Sequence, residues 1–228
     1  MVVLLSLILG GLFINNLGVN KNTGNGVGCT RTEPYPIPEE FKRSVSLIIQ
    51  RQGQNQHQQI KDYSQLVDKY INCLNIQYYT DGTELENADG YFKFDRNSSV
   101  NNLQIFVSPK YTTKDDLLTA LLLQHEISHA IYQAQGLAQN NAESCFIDEA
   151  RAFSSQAALL GSFNEEERNS LVARSRTSKN VASFFAMMMP FSVNPKQDRT
   201  KNAFDEANTI MVVKGIPEYV NQCSNRYN

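Results

Sequence analysis

Two of the chain's 3 histidines lie in one short apolar segment, together with a glutamate. His125 and His129 are four residues apart, so on a helix they stand one above the other and both imidazoles can bind one metal ion. Glu126 lies at the edge of the same face, where it can take a proton from a metal-bound water without binding the metal. This His-Glu-x-x-His pattern predicts a metal site with two nitrogen ligands and a general base.

A catalytic zinc site takes three protein ligands and leaves the fourth position for water. The remaining histidine, His57, lies in a polar Gln-rich stretch and is interpreted as a solvated surface residue. The next helix offers Glu143, which is explained as a capping partner of Asn140, and Asp148, which is expected to point away from the site. Glu149 is the predicted third ligand, because apolar residues lie one turn before and after it and a carboxylate among them needs a cation.

The motif around His125 and His129, followed by Glu149-Ala150-Arg151-Ala152-Phe153, resembles the zincin metallopeptidases and, within them, the gluzincins. In that branch a glutamate on the following helix completes the zinc site, which implies Zn²⁺ as the cofactor and His125, His129 and Glu149 as its ligands. The resemblance covers about residues 103–160. It implies that the strand before the active-site helix is the sheet edge along which an extended peptide substrate lies.

The chain departs from this family at one position, because many gluzincins carry an aspartate where this chain has Phe153. That aspartate normally orients a zinc-bound imidazole. Asp148, Asp205 or a backbone carbonyl can take its place, and the sequence leaves the three alternatives open. Gluzincins also use a tyrosine or histidine to stabilise the oxyanion, for which Tyr132 and Tyr111 are candidates.

The function implied by the resemblance is a zinc-dependent peptidase outside the cytoplasm, in which Glu126 activates a zinc-bound water. Its partner would be a peptide or protein substrate. Two alternatives stay open. In the first, the chain would be a catalytically inert zincin-like surface domain that binds a protein partner. In the second, it would be an anchored structural module in which the histidine pair is incidental.

The elements that must position these residues are predicted from hydrophobic period and turn residues. Two helices begin near Pro38 and Gln58, and three short strands follow at 76–80, 91–94 and 103–107. The active-site helix is predicted from Thr113 to about Gln135, and the remainder of the chain reads as mostly helical. The predicted fold class is α+β and zincin-like, with a small three-stranded sheet packed on the active-site helix.

Composition limits the function classes further. The chain has 228 residues, 41% of them hydrophobic, with 21 basic and 23 acidic side chains and a net charge of −2. This length and apolar content suit one packed domain, assigned to residues 39–228. The charge argues against nucleic-acid binding, which needs clustered lysine and arginine. Nothing in the sequence sets the oligomeric state.

The N-terminal residues indicate the compartment. Residues 1–18 begin with an unbroken apolar run of the length found in export signals, and 19–38 form a polar linker. The run predicts either a secreted protein or one attached to the membrane by residues 1–18, and a buried core helix is the third alternative. Four cysteines suit an exported protein, and the pairing predicted among three connectivities is Cys29 with Cys73 and Cys145 with Cys223.

Overall fold

A computed structural model describes residues 28–55, 58–79, 89–93, 99–109, 115–138, 141–177 and 206–225. The predicted apolar segment 1–18, most of the linker, His57, Tyr111 and Asp205 lie outside these ranges. None of the described helices combines the length and the apolar character needed to cross a membrane. The elements, in chain order, are α1 (Glu39–Gly53), α2 (Gln58–Tyr70), a 3-10 turn (Ile71–Cys73), β1 (Leu74–Tyr78), β2 (Gly90–Phe92), β3 (Leu103–Val107), α3 (Asp116–Ala134), α4 (Ala142–Ser162), α5 (Glu165–Thr177), α6 (Glu206–Lys214) and α7 (Pro217–Asn225).

The fold is α+β, as predicted, with one three-stranded sheet among many helices. The strand order is β1-β3-β2, with β3 parallel to β1 and antiparallel to β2. Leu103, Ile105 and Val107 alternate with less buried residues and point into the core, as expected for a sheet with one covered face. Strand β2 is therefore at an edge of the described sheet, and it lies next to α3 (Asp116–Ala134). Strand β3, which precedes α3 in the chain, lies in the middle of the sheet, so the expectation that this strand forms the edge is wrong.

Helix α3 carries the His-Glu-x-x-His motif through the centre of the molecule. Asp115 caps its start and accepts a hydrogen bond from the Leu118 N–H at 3.1 Å, so the helix start predicted at Thr113 is two residues too early. The helix ends at Ala134, close to the predicted end near Gln135, and Gly136 follows its C-cap with a φ of 68°, a conformation that favours glycine. Buried side chains surround most of α3, which fixes its rotation and hence the direction of both histidines.

Helix α4 packs beside α3 and carries the predicted third ligand. Asn141, and not Asn140, is its N-cap and accepts a hydrogen bond from the Ser144 N–H at 2.8 Å. Glu143 consequently lies in the first turn, and its carboxylate forms a 2.7 Å ion pair with Lys214 of α6. No capping role is needed to explain Glu143.

Helix α4 separates two apolar clusters. The main core joins α1, α2, α3, α5 and the sheet, and it reaches the end of α4 at Leu159. A smaller cluster forms on the opposite side, where Phe146 and Phe153 of α4 contact Val213 of α6 and Cys223 of α7. Glu149 lies on the helix that both clusters share.

Two disulfides are present, and both predicted pairings are confirmed. Cys29–Cys73 ties the N-terminal segment to the turn before β1, and Cys145–Cys223 ties α7 to α4. Disulfides persist in oxidising compartments, so the two bonds indicate an extracytoplasmic environment.

Candidate metal centre

The structure brings the three predicted ligands together. Glu149 Oε2 lies 3.5 Å from His125 Nε2 and 3.6 Å from His129 Nε2. One ligand atom from each of the three residues lies within 4.8 Å of the others. Ligand atoms about 2.0–2.1 Å from a tetrahedral zinc ion are roughly 3.4 Å apart, so the two measured distances fit a common metal position between them.

Burial makes a cation at this position favourable. Glu149 is 2% exposed, and the side chains of His125 and His129 are each 11% exposed. A carboxylate removed from water to this degree is costly unless a positive charge or hydrogen-bond donors compensate it. The sequence argument that Glu149 needs a cation opposite it therefore agrees with the geometry.

The second nitrogen of His129 is held by Asp148. His129 Nδ1 lies 2.9 Å from Asp148 Oδ2, so the acid adjacent to Glu149 orients the ring from its far side. The expectation that Asp148 points away from the site is wrong. Asp148, one of the three residues or groups that the sequence left open for this role, thus contacts a candidate ligand histidine, and Asp205 lies outside the described residues.

His125 has a different environment from His129. Its Nδ1 is buried and has no hydrogen-bond partner among the described residues. The ring instead packs edge-on against Phe153, with 4.6 Å between ring centroids. Phe153, which stands where many gluzincins carry an aspartate, thus makes an apolar contact with the His125 ring.

Charge around His129 changes its protonation in the metal-free site. Burial lowers the pKa of His129, but Asp148, Glu149 and Glu126 outweigh burial and raise the pKa to about 10. The imidazole is therefore protonated at neutral pH until a metal ion displaces the proton. A proton here and a metal ion satisfy the same electrostatic demand.

Glu126 lies beside the metal position without contributing a ligand. It is 5% exposed, and burial raises its pKa above the ordinary value for a glutamate. The backbone N–H of Phe92 donates a hydrogen bond to its carboxylate and opposes this rise. Gly90 lets strand β2 come this close, because a Cβ there would lie 3.2 Å from the Phe106 carbonyl oxygen and 3.5 Å from Glu126 Cγ.

Helix α7 supplies two site residues that sequence reasoning missed. Gln222 Nε2 donates a hydrogen bond to Glu149 Oε1 at 2.9 Å. The ring of Tyr219 packs edge-on against Phe153, with centroids 5.3 Å apart. Burial raises the pKa of Tyr219, and Glu149 and Glu126 raise it further, so its hydroxyl remains a donor. These positions lie 90 or more residues after the His-Glu-x-x-His motif, and no local pattern marks them.

Of the two tyrosines named as candidates for stabilising the oxyanion, Tyr132 lies within the described residues and Tyr111 does not. Tyr132 is buried, and the Arg151 guanidinium lies over its ring, 4.8 Å from the centroid. This contact joins α3 to α4.

Comparisons of the chain with protein-family models, curated proteins and solved structures find no match.

Proposed function

We propose that the chain is a zinc-dependent peptidase that acts outside the cytoplasm, with His125, His129 and Glu149 as the zinc ligands. The observation that carries the proposal is the convergence of both Nε2 atoms on one buried carboxylate oxygen, at 3.5 and 3.6 Å. Two imidazoles and one carboxylate are the donor set of several catalytic zinc sites. Hard cations such as Mg²⁺ and Ca²⁺ favour sites made of oxygen ligands alone.

Bound zinc lowers the pKa of a coordinated water and polarises the substrate carbonyl. Glu126 is placed to accept the water proton and to deliver it to the leaving amine, and its raised pKa suits a group that must do both. The hydrogen bond from Phe92 holds the carboxylate in place during the transfer. Tyr219 supports the proposal as a protonated hydroxyl near the two glutamates that can donate to the developing oxyanion.

A peptide substrate is supported by the strand beside Glu126. Among the described residues, β2 pairs with β3 on one side, and no other described strand pairs with its outer edge. An extended peptide can add to such an edge through backbone hydrogen bonds. Such a chain would run directly past Glu126, because Phe92 of β2 contacts that carboxylate.

A secreted or membrane-attached location agrees with the two disulfides, and the choice between them depends on residues 1–18. An inert zincin-like domain that binds a protein partner is the second candidate function. It is favoured by Phe153, which leaves His125 Nδ1 without an acceptor among the described residues and removes one contact expected to tune the metal.

The variant Glu126→Gln tests the proposal against this alternative. The amide keeps the size of the side chain but cannot accept the proton, so zinc binding stays within about two-fold of wild type while hydrolysis falls by about 10²-fold or more. Zinc is measured by metal analysis after dialysis, and hydrolysis by mass spectrometry of a diverse peptide library.

Wild-type protein that binds one zinc ion and cleaves no peptide would favour the inert domain. Equal cleavage by wild type and Glu126→Gln would contradict the assigned role of Glu126. Absence of zinc from both proteins after dialysis against a zinc-containing buffer would contradict the metal site itself.

A further inference from the structure

The two carboxylate oxygens of Glu149 have different partners, and one of these partners lies on α7. Gln222 Nε2 donates to Oε1 at 2.9 Å, whereas Oε2 faces the two imidazoles. A carboxylate can rotate about its last bond and present either oxygen, or both, to a metal. The hydrogen bond from Gln222 selects the orientation in which Oε2 alone faces the metal position.

The hydrogen bond joins groups of very different exposure. Glu149 is buried, whereas Gln222 belongs to the exposed residues of α7. Water competes for an amide at the surface, so such a bond adds little unless the backbone that carries it is held in place. Something must therefore keep α7 at this distance from α4.

The Cys145–Cys223 disulfide meets that requirement. Cys223 directly follows Gln222, and Cys145 lies one helical turn before Glu149, so the covalent bond and the hydrogen bond join α7 to neighbouring turns of α4. The Cα atoms of the two cysteines are 5.5 Å apart, and both cysteines are buried in the smaller apolar cluster.

We propose that Gln222 is a positioning residue for the metal ligand Glu149, and that the Cys145–Cys223 disulfide sets the metal affinity by holding Gln222 in place. The inference rests on the proposed metal site and not on the reaction carried out there. It gives the C-terminal helix a role in metal binding that its distance from the motif in sequence does not indicate.

Metal affinity tests the role of Gln222. Gln222→Met keeps the length of the side chain and removes the donor, and we expect the Zn²⁺ dissociation constant to rise about ten-fold. Asn221→Ala, an exposed neighbour on α7, is the matched control and should bind as wild type. The Co²⁺-substituted proteins provide a second readout, because a reoriented Glu149 changes the visible absorption of the bound ion.

The two disulfides provide a matched pair of variants. Replacing Cys145 and Cys223 together by serine should weaken Zn²⁺ binding by about ten-fold or more, whereas the same replacement of Cys29 and Cys73 should leave the affinity within about two-fold. Both double variants lose stability, so loss of stability alone does not produce the expected difference.

Non-additivity separates positioning from general support. If Gln222 acts through Glu149, Gln222→Met has no further effect on Zn²⁺ affinity in a Glu149→Ala background. The inference is overturned if Gln222→Met binds Zn²⁺ as wild type does. It is also overturned if the substitution lowers the Zn²⁺ affinity by the same factor in the Glu149→Ala background as in the wild-type background. Should the cysteine variant fail to fold, Gln222→Met decides alone. Failure of wild type to bind Zn²⁺ would instead overturn the proposed function.

Discussion

At the scale of single side chains, two adjacent residues of α4 contact the two nitrogens of one imidazole, that of His129. Successive helical residues differ in direction by about 100°, which predicts that the side chains of Glu149 and Asp148 point to different parts of the molecule. Glu149 faces the Nε2 side of both imidazoles, and Asp148 reaches Nδ1 of His129 at 2.9 Å. The two nitrogens of one imidazole point in different directions, so neighbouring acids can hold the same ring.

The three residues that could hold a metal ion were predictable from the sequence, because helical spacing and apolar neighbours indicate them. His125 and His129 follow from helical geometry, and Glu149 follows from its apolar neighbours. The contacts around the ligands could not be predicted in this way. Gln222 and Tyr219 reach the site through the packing of α7, which is tertiary information that no local spacing carries.

Protonation of His129 makes the stability of the metal-free protein depend on pH. The pKa of His129 is raised to about 10 in the folded state from 6.5, so the folded state binds this proton more tightly than the unfolded state. The resulting stabilisation is complete below pH 6.5 and is lost as pH rises from 6.5 to 10. We therefore expect the free energy of unfolding of chelator-treated protein to fall across this range in urea titrations.

Asp148→Asn and zinc are the controls for this slope. Removing the Asp148 charge lowers the pKa of His129 and should flatten the dependence on pH. Saturating Zn²⁺ should flatten it as well, because the metal binds the neutral imidazole. A slope that is unchanged in Asp148→Asn would show that other groups cause it.

At the scale of elements, it was easier to predict which segments form helices and strands than to predict which elements lie side by side. The three strands were recognised from β-branched and aromatic runs, although β1 begins at Leu74 and β2 ends at Phe92. The strand order could not be predicted, because β3 pairs with β1 and not only with β2, the strand that directly precedes it in the sequence. This order places β2, and not β3, beside Glu126.

Gly90 is a point of contact between β2 and α3. A Cβ at this position would lie 3.2 Å from a carbonyl oxygen and 3.4 Å from Leu122 Cδ1, so Gly90→Val must displace β2 or the helix. We expect the free energy of unfolding to fall by about 1–3 kcal/mol. Hydrolysis should fall by about ten-fold or more, because Glu126 loses its position.

Gly161 provides a matched control for this substitution. It is exposed near the end of α4, and a Cβ there would meet nothing within 4 Å. Gly161→Ala should therefore raise the free energy of unfolding by about 0.5–1 kcal/mol. Chemical denaturation measures both variants. Wild-type stability and activity in Gly90→Val would contradict the close contact between β2 and α3.

At the scale of the whole molecule, the metal position lies between two apolar clusters. His125 and His129 belong to α3, which is part of the main core, whereas Glu149 lies on α4 where the smaller cluster begins. A metal ion bound to both helices would therefore link the two clusters. The disulfide that ties α7 to α4 was predicted from the sequence, but the division into two clusters was not.

Zinc should accordingly stabilise the whole chain. A ligand that binds only the folded state adds about 2.7 kcal/mol when its free concentration is 100 times the dissociation constant. We expect this increase in the free energy of unfolding when Zn²⁺ is added to chelator-treated protein, as measured by calorimetry. His129→Ala serves as the control and should show almost no response. An equal response in that variant would place the stabilising zinc elsewhere.

The most direct measurement is a crystal structure of the zinc-loaded protein, with anomalous diffraction recorded on both sides of the zinc absorption edge. We predict one strong anomalous peak, with Nε2 of His125 and His129 at about 2.0–2.1 Å and a Glu149 oxygen at about 2.0–2.2 Å. A peak at another position, or a Glu149 carboxylate turned away from the bound zinc, would contradict the metal centre on which the proposed function depends.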